Sequence, residues 1–243
     1  MSNLLAAAFD TVRRSALDVA RRTLPQRCEL CAGNSGTELL CAACARNLPR
    51  IENACPVCAL PDCGGAICGS CLAHKPPFDA TLSAFVYAFP VDRLIQAFKY
   101  HGRLALADWC AAAIVAARLQ APVPERIHVI SMPLAAKRQR ERGFNQAAEI
   151  AHAVVKRMGV PMIETGAERV RATAAQADLP WAERAANIRG AFVCTLDLSG
   201  MTVGVVDDVM TTGATLAEFA RTLKAAGAAR VENWVVARTP PTL

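Results

Sequence analysis

From residue 82 to the C-terminus, short apolar runs of strand length alternate with longer stretches of helical period. LSAFVYAF (82–89) reads as a strand bounded by Pro90. Helical stretches are expected over roughly 91–100 and 103–119, the second rich in alanine. IHVISMPL (127–134) is a second apolar run, and a basic loop follows it. Residues 145–159 have helical periodicity and a stop signal, Gly159 with Pro161 just after. A polar region over 164–190 carries no clear apolar period. MTVGVVDD (201–208) is a strand, 214–227 a helix ending in glycine, and 231–238 the last strand. Such alternation predicts an α/β fold with a mostly parallel sheet covered on both faces. In sheets of that kind ligands bind outside the carboxyl ends of the strands.

The first 75 residues have a different texture. Residues 1–27 place Leu5, Phe9, Val12, Ala16 and Val19 on one face of an amphipathic helix. Asp10, Arg13 and Arg14 interrupt its apolar stretch, so a secretory signal is not expected. Between residues 28 and 71 lie nine of the eleven cysteines. Cys28, Cys31, Cys41 and Cys44 read C-x2-C-x9-C-x2-C, and Cys55, Cys58, Cys68 and Cys71 repeat the pattern 27 residues later. Two thiolates flanking a tight turn bind one ion, and two such turns close a tetrahedral structural zinc shell. A disulfide framework is the alternative, and it needs an oxidising compartment. Zinc thiolates suit a reducing one, so a cytoplasmic protein is expected. Pairing within each module is the simplest arrangement, and a crossed one stays open. Cys63 is left over. Cys110 and Cys194, each alone in apolar surroundings, read as buried small hydrophobes. The expected organisation is a helix over 1–27, a double zinc-ribbon module over 28–75 and an α/β domain over 78–243.

Composition adds little to this picture. The chain is 53% hydrophobic and 20% charged, which suits a folded protein. No apolar run approaches the ~18–20 residues needed to span a bilayer. The net charge of +6 permits contact with nucleic acid or phosphate ligands without demanding it. Its distribution is more informative: Lys137, Arg138, Arg140 and Arg142 fall within six positions, opposed only by Glu141.

Two strand ends carry residues suited to phosphate: the one leading into KRQRERGFNQ (137–146) and the one running into DDVMTTGAT (207–215). TTGAT sits between a strand and a helix, where free N–H groups and a glycine form an anion cradle. The hydroxyls of Thr211, Thr212 and Thr215 add donors. Asp207 and Asp208 would repel phosphate unless they face sugar hydroxyls or a bound Mg²⁺. A ligand with a phosphate at one end and a diol in the middle, a ribose 5-phosphate, meets both demands. Adjacent strand residues point to opposite faces. Either the backbone turns at 207–208, or one aspartate is the main ligand and the other supports it.

VGVVDDVMTTGAT (203–215) closely resembles the phosphoribosyl pyrophosphate signature of type I phosphoribosyltransferases. With KRQRERGFNQ, TAAQADLPWAERAANIRGAF (173–192) and the paired cysteine motifs, the chain resembles the ComF family of competence proteins over nearly all its length. The resemblance implies a type I phosphoribosyltransferase-like fold behind a double zinc ribbon. It implies that Asp207 and Asp208 hold ribose hydroxyls, and that Thr211, Thr212, Gly213, Ala214 and Thr215 bind the 5-phosphate. Ser131 and Met132 would approach the pyrophosphate with Arg140 and Arg142. Residues 169–190 would form a mobile hood bringing Arg171, Gln176, Arg184 and Asn187 to the ligand. Mg²⁺ would travel with the diphosphate. The implied activity is transfer of a 5-phosphoribosyl group to an unidentified acceptor in DNA uptake. The alternative is a ligand-binding factor that handles single-stranded DNA or meets DNA-processing proteins.

Overall fold

The computed structural model describes residues 26–240, apart from 101, 121–123, 125, 172–187 and the side chain of Lys137. The N-terminal helix expected over 1–27 lies almost wholly outside the described residues. Chain contacts divide into two compact units, Met1–Leu48 and Pro49–Leu243.

In the first unit, β1 (Gln26–Arg27) pairs antiparallel with β2 (Asn34–Gly36), and α1 (Ala42–Arg46) follows. Ala32 N donates to Cys28 O at 2.9 Å, closing a turn with Ala32 at φ 57°. The second unit opens with the same device. Ala59 N donates to Cys55 O at 2.8 Å, and Ala59 stands at φ 53°. The short helix α2 (Gly69–Ala73) starts directly after Cys68, just as α1 starts after Cys41. The 27-residue sequence repeat is therefore a repeat of backbone conformation.

The second unit continues as β3 (Ala80–Val86), α3 (Val91–Tyr100), α4 (Ala105–Arg118) and β4 (Ile127–Ser131). Next come α5 (Ala136–Arg142), α6 (Gln146–Met158), β5 (Met162–Ile163) and β6 (Ala167–Arg169). β7 (Phe192–Cys194), β8 (Thr202–Met210), α7 (Ala214–Ala225) and β9 (Arg230–Arg238) complete it. Five strands form one sheet in the order β3-β9-β8-β4-β5, every pairing parallel.

Parallel strands are buried on both faces, which explains the nearly unbroken apolar runs of β8 and β9. On one face Val203, Val205, Val231 and Val235 pack with Leu216, Phe219 and Leu223 of α7. The alternate positions, Gly204, Val206, Trp234 and Val236, point the other way. On that side α4 packs against β3 and β9, α6 against β4 and β8, and the two helices against each other.

Three expectations change. The basic segment after β4 is a helix, α5, because Lys, Arg, Gln and Glu are good helix formers, and Gly143 at φ 79° ends it. β4 stops at Ser131 rather than continuing to Leu134. The polar region conceals β6, which pairs antiparallel with β7, just after that region, through Ala167↔Cys194 and Arg169↔Phe192. Two three-residue strands leave too short a pattern for a period of two to register.

Gly204 lies where the Trp234 ring crosses β8. A Cβ there would come within 2.9 Å of the ring, and Trp234 is fully buried. Gly204→Ala is expected to cost about 1–3 kcal/mol by overpacking. Urea denaturation of wild type and variant measures it.

Candidate functional site

β4 and β8 pair in parallel with Ser131 opposite Val206, so the two strands end at one edge of the sheet. Met132 N extends the ladder by donating to Val206 O at 2.9 Å. Asn145 Nδ2 donates to Met132 O at 3.1 Å, while its Oδ1 caps α6 through Ala147 N. The expected pyrophosphate residues, Ser131 and Met132, thereby stand beside the start of the aspartate pair.

β8 runs without a break to Met210, with Asp207 opposite Val235 and Val209 opposite Ala237. The backbone does not turn at 207–208, so the two side chains leave the strand toward opposite faces, while Asp208 N donates to Asp207 Oδ1 at 2.9 Å and the two carboxyl groups interact. Asp208 is buried, and its carboxylate meets Lys99 Nζ of α3 at 2.7 Å. Burial works against the Lys99 ammonium, but Asp208 outweighs it and raises the lysine's pKa. Asp207, partly buried, shares its parity with Val203 and Val205. It is felt by Arg169 of β6, as is Arg138 of α5. Burial, and then the Asp208 charge, raises the Asp207 carboxyl to about 7.

After Met210 the chain turns into α7 through Gly213, which is buried at φ 81°. That is left-handed backbone, and a Cβ there would run into Met210 Cε. Thr212 Oγ1 accepts from Ala214 N at 3.3 Å. Thr211 is exposed, whereas Thr212, Ala214 and Thr215 are partly buried. The first turn of this 12-residue helix presents N–H groups that have no partner within the helix.

The remaining candidates fall in different places. Arg140 is exposed on α5. Arg142 donates to Gln146 Oε1 at 3.1 Å, and its guanidinium lies 5.3 Å from the Tyr100 ring centroid. Arg171 donates to Arg189 O. Val170 N donates to Ala191 O at 2.9 Å, so the two ends of the expected hood meet at a described stem, β6–β7. Gln176, Arg184 and Asn187 lie outside the described residues.

Sequence reasoning missed Lys99, Arg169 and Arg238. Lys99 follows Ile95 by four positions in α3, whose buried residues are Val91, Leu94, Ile95 and Phe98. A lysine on that apolar stripe was the available signal. Arg238 closes an apolar strand, but nothing in the sequence shows its partners. Its buried guanidinium donates from Nε to Cys58 O at 2.9 Å, and from Nη1 to Met210 O at 3.2 Å, Thr211 O and Thr239 O.

The cysteines form two clusters, Cys28/Cys31/Cys41/Cys44 and Cys55/Cys58/Cys68/Cys71, each with all sulfurs within 4.8 Å of one another. Pairing is therefore within each module, and Cys63 belongs to neither cluster. Cys31 and Cys41 Sγ are 3.8 Å apart, Cys58 and Cys68 Sγ 3.6 Å. A tetrahedral shell with Zn–S bonds of ~2.3 Å spaces its sulfurs by about 3.8 Å, so both sets fit zinc. The first cysteine of each cluster is a ready thiolate. Burial opposes ionisation of Cys28 and Cys55, but backbone N–H groups outweigh it and lower them to about 6 and about 7. Among the described residues no helix is long and apolar enough to cross a membrane.

Comparison with known proteins agrees with this division. Residues 19–72 match the double zinc ribbon domain, and residues 145–242 match the phosphoribosyl transferase domain. DNA utilization protein YhgH of Salmonella typhi is 34% identical over 226 residues, covering 89% of this chain and 99% of that protein. Competence protein F of Haemophilus influenzae is 30% identical, covering 87% and 96%. Competence protein ComFC of Bacillus subtilis is 26% identical, covering 83% and 85%. Among solved structures, the glutamine phosphoribosylpyrophosphate amidotransferase from B. subtilis aligns at a TM-score of 0.36 and 21% identity, over 53% of this chain and 26% of that one.

Two outcomes are expected. Elemental analysis of the purified chain finds about two zinc ions per molecule, unchanged by Cys63→Ser. Asp207 keeps its proton to a higher pH folded than unfolded, so the native state loses stability as pH rises from about 4 to about 7. Asp207→Asn removes that loss. The variant melts higher than wild type at pH 8, by on the order of 5 °C, and the gain shrinks as pH falls toward 4. Calorimetric melts across pH measure it.

Proposed function

We propose a function from one premise: this chain belongs to the family of DNA utilization protein YhgH and competence protein F, whose members join a double zinc ribbon to a phosphoribosyltransferase domain. On that premise the edge formed by β4, β8 and the start of α7 binds 5-phosphoribosyl pyrophosphate. The observation that carries the reading is the strand, aspartate pair, left-handed Gly213 and helix start at the carboxyl edge of a parallel sheet.

Each part of the ligand has a matching surface. The 5-phosphate lies in the turn of Thr211 to Thr215, where N–H groups and hydroxyls donate to it. Asp207, the less buried aspartate, accepts from the ribose hydroxyls, and Lys99 holds Asp208 as its support from the opposite face. The pyrophosphate lies against Ser131 and Met132 with Arg140 and Arg142 of α5 nearby. Mg²⁺ would travel with the diphosphate and would supply further charge neutralisation.

Transfer breaks the bond from ribose C1 to pyrophosphate and forms one from C1 to an acceptor nitrogen, which loses its proton. Positive groups aimed at the leaving oxygens meet charge as it develops.

A second reading has its own observation. Phe144, the one aromatic near the basic segment in sequence, packs on Phe98 with centroids 5.7 Å apart. Tyr100 instead lies exposed under Arg142. An exposed aromatic beside a basic helix is a stacking platform for a single-stranded base. The names of the relatives favour a role in handling DNA.

Isothermal titration with phosphoribosyl pyrophosphate and Mg²⁺ tests the first reading. Binding should weaken at least about tenfold in Asp207→Asn plus Asp208→Asn, the loss of charge-assisted hydrogen bonds. No binding by wild type, or no effect of the double change, rejects it. Pyrophosphate release with a panel of bases and nucleotides then identifies the acceptor. Salt-dependent binding of single-stranded DNA, with a slope reduced by Arg138→Ala plus Arg140→Ala, supports the second reading.

A further inference from the structure

The second cysteine cluster is built into the unit that carries the candidate ligand site. Cys55, Cys58 and Cys68 share one apolar cluster with Met210, Leu216 and Phe219, which flank the turn into α7. A single polar group also joins them. Arg238, 8% exposed at the end of β9, gives its Nε–H to the carbonyl of Cys58. Its Nη1 serves the carbonyls of Met210 and Thr211, the residues that lead into Gly213, and of Thr239. Thr239 N returns a bond to Met210 O at 3.0 Å.

We propose that Arg238 is a positioning residue through which the second four-cysteine site supports the Thr211–Thr215 turn. Metal held by Cys55, Cys58, Cys68 and Cys71 and an anion held by the turn then strengthen each other's binding.

The physics follows from the shape of the side chain. A guanidinium is a planar fork with donors in fixed directions, so its bonds to Cys58 and to Met210 and Thr211 hold those carbonyls in one mutual arrangement. The Cys58 carbonyl belongs to a knuckle whose conformation depends on its ion, because short cysteine segments hold little structure without metal. When the knuckle opens, the carbonyl leaves and the buried cation loses a partner it cannot replace from water. The guanidinium then reorients and releases the carbonyls of the turn. Gly213 loses its fixed left-handed geometry, and the N–H groups of the helix start no longer converge on one point. Coupling of this kind is reciprocal, so an anion in the turn protects the metal.

The ligand half of this inference rests on the reading of the turn as an anion site, but the structural half does not. Hydrogen exchange on the zinc-loaded full chain tests the structural half. In Arg238→Lys, a point donor replaces the fork. Amides of 210–216 should exchange about tenfold faster or more, within the range of site-to-site couplings. Amides of β4 should keep their protection and zinc content should stay at two. Cys71→Ser, which opens the second cluster directly, should deprotect the same 210–216 amides. Unchanged exchange at 210–216 in either variant, or loss spread evenly through β4, overturns the proposal.

Release of zinc to a colorimetric chelator tests the ligand half in wild type. Saturating phosphoribosyl pyrophosphate should slow the release of one of the two ions about tenfold, and Arg238→Lys should abolish the slowing. If the ligand binds and release of neither ion slows, the coupling is wrong while the site reading stands. If the ligand does not bind, the site reading fails, and the exchange result alone decides the structural tie.

Discussion

Parallel pairing of β4 with β8 is the constraint on which the candidate site depends. Parallel neighbours cannot be joined by a hairpin, so each connection crosses a face of the sheet, and all five strands end along the same edge. Ser131 and Asp207 are 76 positions apart in the chain, yet the register sets Ser131 opposite Val206. Whatever polar chemistry the strand ends carry is thus collected without a dedicated scaffold. The same pairing buries β8 on both faces, and that makes its two aspartates costly. A buried carboxylate must be paired or take up a proton, and the structure does one to each: Asp208 meets Lys99, and Asp207 has its proton affinity raised.

This asymmetry gives two like residues different work. Because β8 stays extended through Met210, the two side chains leave the strand toward opposite faces, although their carboxyl groups still interact. One is committed to a lysine from α3, and the other is left toward the face carrying β6 and α7.

The cysteine repeat was legible down to its ligands. The C-x2-C-x9-C-x2-C spacing marks the eight ligands, but it leaves a crossed pairing open, and only the positions of the sulfurs place each pairing within its module. The glycine–threonine turn and the strand before it were legible too, since αL backbone and helix capping are settled by a few adjacent residues. What stayed hidden was non-local. Lys99 meets Asp208 across more than a hundred positions, and Arg238 meets Cys58 across 180. The stem formed by β6 and β7 also escaped notice, because pairing across the segment between them, not periodicity, makes those residues strands.

By itself the sequence determined the α/β class, the eight metal-binding cysteines, the family resemblance and the location of the ligand-suited turn. Apart from the resemblance, which runs over nearly the whole chain, each of these rests on periods or spacings within about thirty residues, where covalent geometry leaves few alternatives. Only the tertiary structure decided that the aspartates divide between two faces, that Tyr100 rather than Phe144 is the exposed aromatic at the basic helix, and that the second cysteine cluster is tied to the turn. Those facts depend on which surfaces the helices cover and which strands align. Packing sets these by burying the largest apolar area at once, and that sum over distant residues has no local trace in the chain.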